Sequence, residues 1–198
     1  MPAHGRPDEE LIELFQNGDR EAFSHIVRRY QANLANFFYH LCYDRATAED
    51  LTQEVFVRLF QHLGGYEPRS KFVSFLYKIA KNLWIDRIRR TAGAHKKEIS
   101  IETPLGGEDS DSPSLKDRLR TGEDAPSEFL LRDEVRSMVR KALDRLPEEH
   151  RMVVILSEIH GMRYEEISEA LGIPIGTVKS RMHHAMGRLK EILKNVYP

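Results

Sequence analysis

The segment from Tyr164 to Arg181 constrains the fold most, because its residues specify two helices joined by a tight turn. The apolar face of the first helix consists of Ile167, Ala170 and Leu171. Gly172 favours the left-handed conformation that ends a helix, and Pro174 cannot continue one. This outline is typical of a helix-turn-helix, whose second helix enters the DNA major groove. An ordinary α-hairpin with a solvated basic face has the same pattern, so the spacing alone leaves both open.

Helical periodicity also dominates the rest of the 198-residue chain, and no convincing alternating pattern of a strand is present. The chain is therefore predicted to be all-α. Before the segment described above, helices are expected over about residues 8–15, 20–41, 47–63 and 70–90, and again over about 127–146 and 147–160. Asn17 and Gly18 separate the first helix from the second, and Pro147 suits the first turn of the last one.

A stretch of different composition separates the two helical parts. From Thr91 to Ser127 the apolar pattern collapses among prolines, glycines and acidic residues, and residues 98–128 hold nine acidic residues against three basic ones. Low hydrophobicity and net negative charge favour a flexible linker. We therefore predict two small helical domains, over residues 8–95 and 128–198, joined by a flexible acidic linker over residues 96–127. The helix-turn-helix lies in the C-terminal domain.

The composition argues against membrane and secreted proteins. Charged residues make up 31% of the chain. No apolar run approaches the roughly 18 residues that span a bilayer, and the N-terminus lacks the apolar core of a signal peptide. The single cysteine, Cys42, permits neither an internal disulfide nor a cysteine-rich zinc site. These features predict a cytoplasmic protein without membrane insertion.

No catalytic constellation is recognisable in the sequence. The chain has no glycine-rich phosphate loop, no His-Glu-x-x-His motif and no nucleophile with a recognisable base. It is therefore predicted not to be an enzyme and to need no cofactor. His183 and His184 are not expected to hold a metal, because adjacent residues of a helix point about 100° apart and no cysteine or acidic partner is placed nearby.

A second cluster of basic residues lies in the fourth predicted helix. Between Arg69 and Lys97 the chain carries nine basic residues and one acidic residue. Two neighbouring strips of this helix consist of Lys71, Lys78, Asn82, Ile85 and Arg89 and of Tyr77, Lys81, Trp84 and Ile88. Basic residues interleaved with aromatics are typical of single-stranded nucleic acid binding, where cations hold phosphates and aromatics stack on bases. An amphipathic helix with a solvated basic face and buried aromatics has the same spacing, so both interpretations stay open.

Four stretches resemble, in the same order, those of one protein family. They cover residues 48–57, 72–90, 146–153 and 172–181, and the last contains Gly-Thr-Val-Lys-Ser-Arg. The chain is similar to the extracytoplasmic-function (ECF) sigma factors, the two-domain subunits that give bacterial RNA polymerase its promoter specificity. In that family the stretches correspond to the core-polymerase-binding helix, the promoter −10 reading and melting helix, the entry to the C-terminal domain and the −35 recognition segment.

The resemblance implies a role for each polar cluster. A sigma factor of this family binds the β′ and β subunits of core RNA polymerase, contacts promoter DNA as duplex and as single strand, and is commonly held off by an anti-sigma factor. The residues expected to face the β′ coiled coil are Asp50, Gln53, Glu54 and Arg58. Those expected to hold the unpaired −10 strand, beside a loop over residues 64–70, are Lys71, Lys78, Lys81, Asn82, Arg87, Arg89 and Arg90. Those expected to contact the −35 duplex are Thr177, Lys179, Ser180, Arg181, His183 and His184.

Two other classes of protein compete with this interpretation. A helix-turn-helix transcriptional regulator that does not join the polymerase would need no basic aromatic helix near Asn82 and no helix like that over residues 49–58. An α-helical adaptor that binds only proteins would lack both basic clusters.

Three positions depart from the usual pattern of the family. Phe75 stands where the family often has tryptophan, which keeps the core role, and His183 and His184 stand where it often has basic or bulky apolar residues. If a histidine contacts a phosphate, affinity for the −35 duplex should weaken between about pH 6 and pH 8, as the imidazolium loses its proton. Binding titrations of the wild type and His184→Ala test this, and a pH slope that persists in His184→Ala would contradict it.

Overall fold

The computed structural model describes residues 6–67, 71–98 and 137–194, with side chains for all of these except residues 92–98. Within these ranges every regular element is a helix, which confirms the all-α prediction, and none is long and apolar enough to cross a bilayer. The N-terminal lobe consists of α1 (Asp8–Gln16), α2 (Arg20–Cys42), α3 (Arg45–Leu63) and α4 (Phe72–Glu98). The C-terminal lobe consists of α5 (residues 137–144), α6 (Glu148–Val154), a π-helical turn (Ile155–Ile159), α7 (Tyr164–Leu171) and α8 (Ile175–Lys194).

Aspartate side chains begin two of the N-terminal helices. Asp19 accepts a hydrogen bond from the Glu21 backbone N–H at 2.9 Å and begins α2. Asp44 accepts one from the Thr47 backbone N–H at 2.9 Å. Because the N-cap residue immediately precedes the first helical residue, α3 begins at Arg45 rather than at about Thr47 as predicted.

α4 extends further than the sequence predicted. It ends at Glu98 rather than near Arg90, so helix covers the first part of the stretch in which the apolar pattern collapses. Two alanines, two lysines and Glu98 are good helix formers in this extension and no proline interrupts it, so an established helix propagates through it. The rest of the predicted linker, and the predicted helix start at Ser127, lie outside the described residues.

α2 is the central helix of the N-terminal lobe. It packs against α1 and α3, and α3 packs against α4. Large side chains buried without solvent exposure in these helices are Leu11, Ile26, Leu34, Phe37, Phe38, Val55, Leu59, Leu63 and Leu76. Asp8 fastens α1 to α2 by accepting hydrogen bonds from Arg29 and Tyr30. The lobe therefore anchors α4 by one apolar face and leaves its polar faces outside this core.

The C-terminal lobe is built around α8, which packs against α6 and α7. Its fully buried side chains include Val153, Ile155, Leu156, Ile167, Val178 and Ala185. The single helix predicted over residues 147–160 is divided in the structure, because α6 gives way to the π-helical turn at Ile155. The Met162 N–H donates to the Leu156 carbonyl at 3.0 Å and directs the chain into α7.

The two lobes pack against each other, chiefly through α4 and α7. Their buried apolar residues form one continuous cluster. At one end of this interface the Tyr43 hydroxyl donates to the Arg140 carbonyl at 3.3 Å, and the Arg140 guanidinium lies 4.2 Å from the Tyr43 ring centroid. We call this arrangement of the lobes the closed conformation.

Two glycines of the C-terminal lobe provide a matched test of the turn. At both Gly172 and Gly187 an added methyl group would meet no atom within 4 Å, but only Gly172 has a positive φ, of +66°. We expect Gly172→Ala to lower the free energy of unfolding by about 1 kcal/mol, because a Cβ strains the left-handed conformation. Gly187→Ala should raise it by roughly 0.5 kcal/mol, because alanine favours a helix interior. Urea unfolding of both variants measures the difference, and a shift of the same sign in both would contradict this account.

Candidate nucleic-acid interface

The turn of the helix-turn-helix is held by hydrogen bonds that its sequence specifies. Gly172 adopts the left-handed conformation, with φ 66° and ψ 40°, and its N–H donates to the Ser168 carbonyl. The Ser168 hydroxyl donates to the Ile173 carbonyl at 2.6 Å. The Pro174 carbonyl accepts from the Thr177 N–H at 2.8 Å in the first turn of α8. The predicted helix-turn-helix is therefore present.

α8 turns the polar side of its first half to solvent. Val178, Met182 and Ala185 are buried, which fixes the rotation of the helix about its axis. Of the six residues predicted to contact the −35 duplex, Lys179, Ser180, His183 and His184 are exposed, and Thr177 and Arg181 are half-buried. The structure thus brings all six to the accessible part of the helix-turn-helix.

α6 supports this surface from behind. The Arg181 guanidinium donates to the Glu149 carboxylate. The His184 ring lies nearly parallel to that of His150, with centroids 6.3 Å apart and planes inclined by 19°. Burial, with a further contribution from nearby Arg181, lowers the pKa of His150. Sequence analysis missed Glu149 and His150, because no pattern within α6 indicates which residues of α8 it meets.

His183 and His184 lie side by side on the accessible part of α8. His183 lies edge-on to His184, with ring centroids 5.8 Å apart. Within the three described ranges, no group of three or more His, Cys, Asp or Glu side chains is placed to hold a metal ion. With Lys179 and Ser180, these exposed histidines offer a ligand hydrogen bonds, and Lys179 adds positive charge, as a DNA-reading helix requires.

A second polar surface lies on α4. Lys78 and Asn82 are exposed on the first predicted strip, one helical turn apart. Of the arginines further along the helix, Arg87, Arg89 and Arg90 are also exposed, and Arg87 donates to the Thr47 hydroxyl at 3.0 Å. Five of the seven residues predicted to hold the −10 strand therefore lie on accessible parts of α4.

A cleft of about 710 Å³ opens beside Lys78. Its walls are His62, Gly65, Tyr66 and Glu67 at the end of α3 and in the following loop, Ser74, Phe75 and Lys78 on α4, and Glu169 on α7. The rings of Tyr66 and Phe75 lie with centroids 4.6 Å apart, and the buried Ser74 hydroxyl has no hydrogen-bond partner among the described residues. Aromatic rings and unpaired polar groups are suited to an unstacked base. Residues 68–70 of the predicted binding loop lie outside the described ranges.

Three of the four residues of the second strip of α4, Tyr77, Lys81 and Trp84, contact the C-terminal lobe, whereas Ile88 is exposed. Tyr77 and Trp84 are only 2% and 6% exposed, and Lys81 is half-buried. The Lys81 ammonium donates to the Leu171 carbonyl at 3.2 Å. Burial, with a further contribution from nearby Lys78, lowers the pKa of Lys81. Of the two interpretations of this helix given above, burial of the aromatic residues therefore holds for Tyr77 and Trp84 in the closed conformation.

α3 presents a third surface, on the side predicted to face the polymerase. Asp50, Gln53 and Glu54 are exposed, and Arg58 is half-buried with a hydrogen bond to Glu54 at 2.9 Å. Beside them Val57 and Phe60 are 52% and 45% exposed. Large apolar side chains rimmed by polar ones are typical of protein interfaces. Sequence analysis missed Phe60, since an aromatic residue on a helix is usually assigned to the core.

Comparison with known proteins identifies the family. The chain matches the family models of Sigma-70 region 2 over residues 26–93 and Sigma-70 region 4 over residues 136–189. It is 31% identical to the RNA polymerase sigma-H factor of Pseudomonas aeruginosa, with 94% of each chain covered. It is also 31% identical to the ECF RNA polymerase sigma-E factor of Escherichia coli, with 90% of each chain covered. The chain belongs to the ECF sigma factors. It is thus a promoter-directing subunit of RNA polymerase, as its four motifs predicted.

Two solved structures share the fold. One is CnrH in complex with the cytosolic domain of CnrY, with a TM-score of 0.67, 21% identity and coverage of 95% of this chain and 97% of that chain. Another is RpoE of Bartonella quintana in complex with the anti-sigma factor NepR, with a TM-score of 0.64, 24% identity and coverage of 87% and 96%. At these identities the likeness concerns the fold alone.

His160 lies where the two lobes of this ECF sigma factor meet. Its Nδ1 lies 3.0 Å from the Tyr77 hydroxyl, and its Nε2 is buried with no partner among the described residues. The Phe37 ring packs against it, with centroids 6.1 Å apart. Burial, with a further contribution from nearby His40, lowers the pKa of His160 from 6.5 to about 4. The folded protein therefore holds this imidazole neutral.

We expect acid to lower the free energy of unfolding because His160 becomes protonated. Because its folded pKa lies below its unfolded pKa, its contribution is complete above about pH 6.5 and is lost as the pH falls toward 4. We expect the stability difference between the wild type and His160→Gln to shrink by about 2 kcal/mol over that window, after allowance for partial exposure. Urea unfolding at several pH values measures this. His183→Gln, which removes an exposed histidine, is the control, and an equal effect in both variants would contradict the assignment.

Proposed function

We propose that this ECF sigma factor binds promoter DNA at two sites while it is bound to core RNA polymerase in the cytoplasm. α8 reads the −35 duplex, and α4 with the preceding loop holds the unpaired −10 strand and so favours strand separation. Binding energy drives the opening, and the chain makes or breaks no covalent bond. The observation that carries the proposal is the presence of two separate basic surfaces, one on a helix-turn-helix and one beside a cleft with aromatic walls.

The accessible start of α8 supports the −35 assignment. Lys179 and Arg181 carry the charge and hydrogen-bond donors that reach guanine edges or phosphates, and Ser180 reaches either. Glu149 holds the Arg181 guanidinium through a charged hydrogen bond. A guanidinium held by a carboxylate loses less side-chain freedom on binding, which favours directional contact with a base.

The cleft beside α4 supports the −10 assignment. An unpaired strand needs cations for its phosphates and a pocket for a base removed from the stack. Lys78 lines the cleft, and Asn82 follows one helical turn later with both a donor and an acceptor for a base edge. Tyr66 and Phe75 provide the aromatic wall.

The outer face of α3 supports binding to core polymerase, with Val57 and Phe60 as its apolar centre and Asp50, Gln53 and Glu54 at its rim. An anti-sigma factor is a further proposed partner. The solved structures that share the fold include a sigma factor bound to the anti-sigma factor NepR.

One experiment separates this proposal from a helix-turn-helix regulator that does not join the polymerase. The chain is mixed with core polymerase and promoter DNA, and permanganate is used to detect unpaired thymines. A sigma factor must both migrate with the polymerase and open the −10 region. Co-migration without strand opening would overturn the proposed role of α4, and binding to DNA alone would favour the regulator.

Removing the amide of Asn82 should impair opening more than docking. We expect Asn82→Ala to reduce permanganate reactivity of a holoenzyme–promoter complex by about 5- to 150-fold, because one good bidentate base contact is worth roughly 1–3 kcal/mol. Asn33→Ala removes an exposed amide from α2 and serves as the control. Wild-type opening in Asn82→Ala would contradict the assignment of α4 to the −10 strand.

Removing Arg181 should weaken recognition of the −35 duplex. We expect Arg181→Ala to lower affinity for a −35 duplex by about tenfold or more and to relax discrimination at one base pair. Lys190 lies nine residues further along α8, on the opposite side of the helix, and Lys190→Ala is the matched control for a lost positive charge. Gel-shift titrations at one fixed salt concentration measure both variants. Equal losses in the two would indicate a non-specific charge effect instead.

A further inference from the structure

Gln16, the last residue of α1, contacts the segment that follows α3. Its side-chain amide donates to the Leu63 carbonyl at 3.0 Å and to the Tyr66 carbonyl at 2.8 Å. These acceptors lie 47 and 50 residues further along the chain. Tyr66 lines the cleft beside Lys78, whereas Gln16 does not. A residue outside the cleft therefore holds the backbone of a residue that forms its wall.

The first of these two bonds satisfies a group at the end of α3. The last four carbonyls of an α-helix have no partner within the helix. Leu63 is the last residue of α3, and its carbonyl accepts the Tyr66 backbone N–H at 3.2 Å. A carbonyl oxygen can accept two hydrogen bonds, and Gln16 supplies the second donor from another helix. The end of α3 is thus held from two sides.

The second bond acts on a segment with a large backbone entropy. Gly64 and Gly65 connect α3 to Tyr66. Fixing glycine costs more conformational entropy than fixing any other residue, and here two occur in succession. A methyl group added at either glycine would meet no atom of the described residues within 4 Å, so packing around them restricts their backbone little. A hydrogen bond to the Tyr66 carbonyl therefore has a large share in fixing this segment.

Tyr66 carries the effect of this bond into the cleft. Its ring lies 4.6 Å from that of Phe75 and 6.2 Å from that of Phe72, measured between centroids. The position of the Tyr66 backbone determines where its ring begins, so a displaced carbonyl displaces the aromatic wall. Stacking of an aromatic ring on a base depends on their distance and relative orientation. The cleft is therefore suited to a base only while Tyr66 stays in place.

α1 is anchored firmly enough to support this segment. The Phe15 ring, next to Gln16 in the chain, packs against the rings of Phe23 and Phe60, with centroids 5.5 Å and 5.3 Å away. Near its other end, α1 is fastened to α2 by the hydrogen bonds of Asp8. The Gln16 amide is thus presented from a helix that is fixed at both ends.

We propose that Gln16 is a positioning residue for the −10 strand: by holding the Leu63 and Tyr66 carbonyls, its amide keeps the aromatic wall of the cleft in place for an unpaired base. The proposal rests on the assignment of the cleft to the −10 strand. Gln16 acts through Tyr66 and does not itself contact the DNA. Its loss lowers affinity for the unpaired strand and leaves the affinity of α8 for the −35 duplex unchanged.

Hydrogen–deuterium exchange tests whether Gln16 holds the segment after α3. Gln16→Met removes both donors and keeps a side chain of similar length. The backbone N–H groups of Gly65 and Tyr66 each donate to a carbonyl near the end of α3. We expect these two amides to exchange about fivefold faster in full-length Gln16→Met, because partly exposed hydrogen bonds contribute modestly. Unchanged exchange rates would overturn the proposal.

Affinity for a single strand tests whether that segment matters for DNA. Holoenzyme is titrated into a fluorescently labelled single strand that contains the −10 region of a promoter opened by the wild type. We expect anisotropy to show about fivefold weaker binding by Gln16→Met. Gln31→Met removes an exposed amide from α2 and is the matched control, with wild-type affinity expected. Wild-type affinity in Gln16→Met as well would overturn the proposal.

Strands that lack one base distinguish positioning from a general loss of stability. In a series of such abasic strands, each keeps its phosphates and lacks a different base of the −10 region. At the captured position the wild-type holoenzyme loses affinity. There Gln16→Met should bind as tightly as the wild type, because no base is left to stack on Tyr66. A deficit of Gln16→Met that persists on every abasic strand would show a merely structural role and overturn the proposal.

Failure of the underlying assignment gives a different set of results. If the cleft holds no base, no abasic strand binds the wild type more weakly than the intact strand does, and Asn82→Ala leaves promoter opening intact. Those results refute both the assignment and the role of Gln16. If the wild type loses affinity at one abasic position, but Gln16→Met has a deficit at every position or at none, the role of Gln16 is refuted and the assignment stands.

Discussion

The packing of α4 on two sides is the interaction on which the arrangement of this sigma factor depends. Phe72, Leu76 and Ala80 bury one face in the N-terminal lobe. Tyr77 and Trp84 lie on a neighbouring face, buried against the C-terminal lobe. Large aromatic side chains bury the most area per residue, and each of these two also uses its polar atom in a hydrogen bond across the interface. One helix therefore contributes to both cores and sets how the lobes meet.

The exposed ion pair at this interface contributes less to stability than its buried aromatic residues do. The Lys71 side chain is 59% exposed in its pair with Glu166, and such pairs contribute little net stability in water. Phosphate oxygens offer Lys71 and Lys81 an equivalent partner. His160 also favours the neutral imidazole in this interface. Protonation would create a positive charge on a ring whose buried Nε2 has no hydrogen-bond partner among the described residues.

Much of the fold followed from local signals in the sequence. The helical period of the apolar residues predicted four helices before the linker, and Asn17, Gly18 and Gly172 ended helices where the structure ends them. The same local reasoning placed Lys179, Ser180 and Arg181 on the accessible part of α8, because Val178 and Met182 had to face inward. Local signals were less reliable at boundaries. α3 begins earlier because of the Asp44 cap, α4 continues to Glu98, and a π-helical turn divides the helix after Pro147.

Local residue patterns were enough to predict most helices and the helix-turn-helix, and four motifs in a fixed order were enough to predict the family, because none of these depends on contacts between distant residues. Only the tertiary structure decided which polar groups meet across long separations. Examples are the contacts of Arg181 with Glu149, of Trp84 with Glu148 and of Lys71 with Glu166. The spacing of Tyr77, Lys81 and Trp84 was compatible with a DNA surface and with a buried one. How the lobes pack decides between these two interpretations. A periodic pattern predicts on which side of its helix a side chain lies, but it does not predict which residue that side chain contacts.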